Sequence, residues 1–344
     1  MIQKGAPSLH GRYKGAMTEG ISIAPVSAVS GPKRLGHSDV HVGRDGWLFL
    51  TGGSNAVLDQ YADPGFPRAK LWRWRRMLET RVRRCVELGT RYAHVVAPEK
   101  LAIYPQTCNG LPFDPDRAPV LRMERWLRFS SARRHWIDLV RPFRARAAEI
   151  PLYRRTDSHW SFSGYLLAYG EICRHLGLRP REDIARRRIG SAGAYAGDLG
   201  LKFDPVRTEM AEPCLFDSAA RRIYANSLVT TLESQGRGRD AHIGAHVIFR
   251  NDSPQADPRR LVLFADSYGH HTVTPHTASL TPMLADTFRE VHVLWSTSID
   301  WGYVARTKPD FVVAEIAERF MIDVPQTGFN IEKLADLALA RKSG

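Results

Sequence analysis

The feature that most constrains the fold is a rhythm in the last hundred residues. Apolar runs, "HVIFR", "LVLFADS", "VHVLWS" and "FVVAEIAER", alternate with segments of helical pattern, "TPMLADTFRE", "DWGYVARTKPD" and "IEKLADLALARK". Runs too short for helices yet apolar throughout are strands buried on both faces, and strands separated by helices pair in parallel. The expected fold class is therefore α/β, a mostly parallel sheet between two layers of helices. In such sheets ligands gather at the carboxyl ends of the strands. "LVLFADSYGHH" (261–271) ends a strand on Asp266 and Ser267, followed by Gly269, His270 and His271. That segment reads either as a plain surface loop or as a nucleophile on a turn.

The segments before it fill in the domain. "DVHVGRDGWLFLTG" (39–52) is a pair of short strands around Asp45-Gly46, since glycine accepts positive φ at no steric cost. Residues 66–88 carry apolar positions three and four apart, the mark of an amphipathic helix. "RYAHVVAPEK" (91–100) is a strand ending at Pro98, 118–131 a helix, and "HWIDLV" (135–140) a short strand. "DSHWSFSGYLLAYGEICRHLG" (157–177) is a loop feeding a helix, capped by Ser161 or Ser163 and ended by Gly177. "RRIYANSLVTTL" has a β character, and Thr281 with Pro282 should start the helix of "TPMLADTFRE". Residues 1–38, rich in Gly, Ser and Pro, are expected to form a flexible arm, 39–322 the main domain, and 323–344 a C-terminal helix.

Charge and cysteine usage bound the function. The 344 residues carry 49 Lys+Arg against 36 Asp+Glu, a net charge of +13. Such a field attracts polyanions, but no nucleic-acid motif accompanies it, and the arginine clusters at 71–85 and 184–190 also suit solvated helix faces. Four cysteines without a CxxC pair form neither a disulfide framework nor a zinc site; buried free thiols are expected, and no metal or other cofactor. No stretch approaches the roughly 18 apolar residues of a membrane span, and "ISIAPVSAV" is too broken for a signal sequence. Taken alone, the sequence implies the cytoplasm.

A serine at a strand end is a poor nucleophile until a base takes its proton, and the usual base is a histidine held by a carboxylate. Among thirteen histidines, His159 stands out because Asp157 lies two residues before it in "TDSHW". In an extended loop such residues project to one side, so Asp157 can hold Nδ1 and leave Nε2 outward. Capping of the following helix by Asp157 is the equal alternative. For an oxyanion the backbone N–H groups of Ser267 and Tyr268 are candidates, with Asn251 in "RNDSP" as a side-chain candidate or a turn residue. Trp160, His270 and Arg319 are candidate substrate contacts; for Arg319 a structural ion pair is the rival reading. Trp47 and Trp295 read as core packing or as sugar platforms.

These landmarks together resemble the alginate O-acetyltransferase family, within the SGNH-hydrolase superfamily. "HVGRDGWLFL" (41–50), "HVVAPEKLAIYP" (94–105), "DSHW", "GDLG" (197–200), "LVLFADSYG" and "KPDFVVAEIAERFM" (308–321) match its landmarks in order, over roughly residues 40–322. The resemblance implies a three-layer α/β/α SGNH-like domain, with Ser267 as nucleophile, His159 as general base and Asp157 as orienting acid. It implies acetyl transfer to, or removal from, a polysaccharide hydroxyl through an acetyl-serine, with a periplasmic setting. A catalytically inactive polysaccharide-binding scaffold is the alternative. The stretch from Ser267 to Phe288, longer than this pattern leads one to expect, is a candidate lid over the site.

Overall fold

The computed structural model describes residues 39–63 and 65–343, so the expected N-terminal arm lies outside the described residues. An antiparallel pair, β1 (Val40–Val42) and β2 (Leu48–Leu50), comes first, turned by Asp45 and Gly46 at φ 52° and 78°. α1 (Arg68–Glu87), β3 (Arg91–Ala97), the single turn α2 (Lys100–Ile103), α3 (Pro119–Trp126), β4 (Trp136–Ile137), α4 (Val140–Arg146) and α5 (Phe162–His175) follow. A second small antiparallel pair, β5 (Gly193–Tyr195) and β6 (Glu209–Ala211), precedes β7 (Ala220–Ala225), α6 (Ser227–Ser234) and β8 (His246–Asn251). The expected alternation then unfolds as β9 (Asp257–Ala265), α7 (Leu280–Thr287), β10 (Phe288–Trp295), α8 (Trp301–Thr307), β11 (Phe311–Ala317) and α9 (Ile331–Ser343).

Seven strands form the central sheet in the order β4-β3-β11-β9-β10-β8-β7. The first five are parallel; β8 and β7 add antiparallel at one edge. All seven residues of β11 are buried, as are the last five of β9, which requires cover on both faces. On one face Trp74 of α1 meets the His94 ring of β3, and Arg84 of α1 lies over Trp301 of α8. α5 packs against β3, β4 and α7. This is the mixed α/β, mostly parallel architecture expected. All four cysteines are free and buried.

Three local expectations are corrected. "SLVTTL" is helix α6, because Asn226 accepts the Val229 N–H at 3.3 Å as an N-cap and Leu228, Val229 and Leu232 form a buried helical stripe. α7 is capped by Ser279, whose Oγ accepts the Thr281 N–H at 3.2 Å; the Thr281 hydroxyl donates instead to Gly269 O at 2.7 Å. Phe288, Arg289 and Glu290, expected within or beside that helix, open strand β10. α9 begins at Ile331, whose side chain joins the main apolar core.

Candidate active site

β9, β10 and β11 end side by side, and the site is built on that edge. β9 stops at Ala265, and Ser267–Gly269 makes one 3-10 turn. The buried Asp266 carboxylate fixes this turn: Oδ2 accepts the Ala317 N–H at the end of β11 at 2.6 Å, and Oδ1 accepts the Tyr268 N–H at 3.1 Å. Only glycine suits position 269, since a Cβ there would overlap the Ala265 Cβ. Glu315 of β11, wholly buried, accepts the Asp266 N–H at 3.1 Å. Burial, then the adjacent Asp266 charge, pushes the Glu315 carboxyl well above its ordinary value.

The loop of residues 154–161 approaches from the other side. The Tyr268 hydroxyl donates to Ser158 O at 3.0 Å, and its ring lies 4.5 Å from that of Trp160. His159 Nε2 then stands 2.8 Å from Ser267 Oγ. Its Nδ1 is 2.7 Å from Asp157 Oδ1, which also accepts the His159 N–H at 2.8 Å. A carboxylate on Nδ1 holds the proton there and leaves Nε2 to accept from the serine hydroxyl. The helix cap is supplied by Ser161, whose Oγ accepts the Gly164 N–H at 3.2 Å, so Asp157 is not committed to α5.

The second oxygen of Asp157 accepts the Tyr195 hydroxyl at 2.5 Å and the Asp198 N–H at 3.4 Å. Asp198 in turn accepts the Ser158 N–H and hydroxyl, both at 2.6 Å. Gly197 lets this "GDLG" loop lie against the Asp157 loop, because a Cβ at Gly197 would overlap Asp157 Cβ and Thr156 O. Below, Arg319 donates through Nε to Glu99 Oε1 at 2.6 Å and through Nη1 to Ser158 Oγ at 3.0 Å.

The electrostatics divide the acids. Burial works against charge on Asp157, but the His159 charge and the hydrogen bonds from His159 and Tyr195 outweigh it and hold the carboxyl well below its ordinary range. Burial opposes charge on His159 as well, yet Asp157 wins and its pKa is raised. Asp198 is pushed up by burial and by the charge on Asp157.

The other expected contacts sit differently. Trp160 is 1% exposed, packed among Phe143, Tyr165 and Tyr268, and offers no face to a sugar. Arg319 is buried and ion-paired with Glu99, so it supports the site from beneath instead of contacting substrate. Asn251 ends β8, which runs antiparallel to β10 with Arg250 opposite Glu290; it therefore lies at the far end of the sheet from Ser267 and donates to Asp286 O at 2.7 Å. The Tyr268 N–H is committed to Asp266, which leaves the Ser267 N–H as the backbone candidate for an oxyanion. His270 remains beside the nucleophile turn, its ring 4.6 Å from Trp295 and 4.9 Å from His271. Burial, then the charge on His271, brings its pKa down to about 3, so it is neutral near pH 7. The stretch after Ser267 does not stand off as a separate flap: Pro275 O accepts the Cys214 N–H at 2.7 Å, and α7 begins at Leu280.

Asp198 stands in the sequence only within the "GDLG" landmark, Glu99 and Lys100 only within "HVVAPEKLAIYP", and no sequence pattern marks the contact of Tyr195 with Asp157. Asp157, His159 and Asp198 each offer one ligand atom within 4.8 Å of the others, a spacing open to a metal ion. In the structure those groups bond one another, Ser158 and Ser267. Among the described residues no helix is long and apolar enough to cross a membrane.

No curated protein matches the chain by sequence. Solved structures do by shape. The O-acetyltransferase domain of Pseudomonas putida AlgJ aligns with a TM-score of 0.52 at 17% identity, over 88% of this chain and 99% of that one. Bacillus cereus PatB1 aligns at 0.53 and 13%, over 86% and 99%. Pseudomonas aeruginosa AlgX aligns at 0.51 and 15%, over 86% of this chain and 66% of that one. At such identities the likeness concerns the fold. Family membership rests on sequence: residues 40–213, just over half the chain and inclusive of Asp157, His159 and the "GDLG" loop, match the model of the SGNH hydrolase-like domain of acetyltransferase AlgX, and the chain belongs to that family.

Proposed function

We propose that the protein is a serine-dependent O-acetyltransferase, or O-acetylesterase, acting on polysaccharide hydroxyls through a Ser267-His159-Asp157 triad. The observation that carries this reading is the unbroken series Asp157 Oδ1, His159 Nδ1, His159 Nε2 and Ser267 Oγ, with links of 2.7 and 2.8 Å. The family supplies the acetyl chemistry, and the neighbour AlgJ is described as an O-acetyltransferase domain. An inactive polysaccharide-binding scaffold gives no reason for a serine, an imidazole and an ionised carboxylate to stand in series.

His159 Nε2 takes the Ser267 proton as Oγ attacks the acetyl carbonyl, and Asp157 stabilises the imidazolium that forms. The tetrahedral oxyanion is met by the Ser267 N–H; donors of this kind are worth about 10²–10³ in rate. The leaving alcohol departs with the proton from His159, and Ser267 carries the acetyl group. His159 then deprotonates a sugar hydroxyl, which attacks the ester and frees the serine; water in its place gives acetate. The periplasm, implied by the resemblance, goes with this reading.

Purified protein should release acetate from p-nitrophenyl acetate and pass acetyl groups to a polysaccharide acceptor. Ser267→Ala and His159→Ala should each abolish both. Undiminished turnover in either variant rules out the mechanism.

A further inference from the structure

Lys100 has no part in the proton transfers above, yet its ammonium is buried at the centre of the loops that build the site. It opens α2, just past the end of β3, and is 2% exposed. Nζ donates to Arg154 O and Asp157 O, both at 2.6 Å, to Leu48 O at 2.8 Å, and more weakly to Arg155 O at 3.3 Å. All four acceptors are main-chain carbonyls. An ammonium has three donors, and three short bonds use them. The Trp47 and Phe49 rings lie 5.5 and 5.7 Å from Nζ, which suits a cation held without water.

A buried lysine paired with a carboxylate would fix one side chain. This one fixes a backbone path. It draws residues 154, 155 and 157 around one charge and ties them to β2, whose Leu48 N–H also donates to Arg155 O at 2.9 Å. The main-chain position of Asp157 sets where its carboxylate stands, and the carboxylate sets the His159 ring. Three family landmarks, the Asp45-Gly46 hairpin, the "PEK" segment and "DSHW", thereby become one mechanical unit.

We propose that Lys100 is a positioning residue for the triad: its ammonium holds the 154–157 backbone so that Asp157 reaches His159 Nδ1. The claim rests on the proposed triad. The ionisable groups that face it are Asp157, Asp198, Glu209, Glu99 and Cys108. Burial pulls its pKa down to about 8 against the pull of those acids, so the clamp loses its charge in mildly alkaline solution.

The test uses the full chain with Lys100→Met. Two readouts are followed: the His159 titration by NMR, and labelling of Ser267 by phenylmethanesulfonyl fluoride, in which Oγ attacks sulfur, fluoride leaves and His159 takes the proton. Positioning predicts that the His159 pKa falls, because Asp157 slips away; loss of a nearby cation alone would raise it. Labelling should slow about 10²-fold, the scale of an ångström-sized misplacement. An unchanged or raised His159 pKa with wild-type labelling overturns the proposal. A wild-type Ser267 that never labels counts against the triad reading instead, and the His159 titration still decides the role of Lys100. Should Lys100→Met not fold, the wild-type protein decides. Its labelling should decline above about pH 8 at constant circular dichroism. A plateau lasting to the ordinary lysine range of about 10.4 refutes it.

Discussion

At the scale of single residues, Asp157 does two things to His159: it orients the ring and raises its affinity for protons. The raised pKa has a definite sign. The imidazole must be neutral to accept from Ser267, so activity rises as pH climbs through a value above the ordinary histidine value of about 6.5. Asp157→Asn removes the countercharge and leaves burial, the largest influence, and the Arg319 charge opposed only by Asp198, so the rising limb should move to lower pH. The rate should fall by about 10⁴, as when the acid of a serine-protease triad is neutralised and the wrong tautomer results. A pH–rate profile of acetate release checks both. A limb that stays in place, or moves upward, contradicts the assignment. The same pair sets a stability trend: the stabilisation from the raised His159 pKa is complete below the unfolded value and fades as pH rises through the folded one.

Among the elements, the ends of β3 and β11 are locked by the pair of Glu99 and Arg319, 3% and 9% exposed at their side chains. Removing one partner of a buried pair strands the other charge, a cost of about 3–5 kcal/mol. Glu99→Gln should therefore lower the urea midpoint by that equivalent; a loss under about 1 kcal/mol would equal that of an exposed pair and contradict the role. The sequence offered a structural ion pair as one reading of Arg319 but not its partner, because 220 positions separate it from Glu99. What the sequence does hold is local. The apolar runs and their spacing reveal the strands that carry Ser267, and the i, i+2 relation of Asp157 and His159 reveals the dyad. Asn251 was misplaced because its nearness to β9 along the chain carries no information on strand direction; β8 turns out antiparallel. Trp160 was ambiguous since an aromatic beside a histidine looks alike in core and on surface. Tyr195 and Lys100 reach Asp157 across loops, and no periodicity marks such contacts.

Over the whole molecule, the parallel strands set one edge of the sheet as the place where distant segments meet. β9 leads to the serine, β11 and the 3-10 turn after it bring the braces Glu315, Glu318 and Arg319, and the loop before α5 the histidine and its acid. Glu318 shows how tightly this edge is packed: buried completely, it accepts the Glu99 and Val120 N–H groups at 2.7 and 3.1 Å, and burial pushes its pKa up to about 7. On the proposed reading, this convergence makes Ser267 a nucleophile. The most direct measurement is intact-protein and peptide mass spectrometry after brief exposure to p-nitrophenyl acetate and an acid quench. One acetyl group should appear on the peptide that holds Ser267, and none on that peptide in His159→Ala. A protein that turns over the ester while Ser267 stays unmodified, or that acetylates it equally without His159, would contradict the claim.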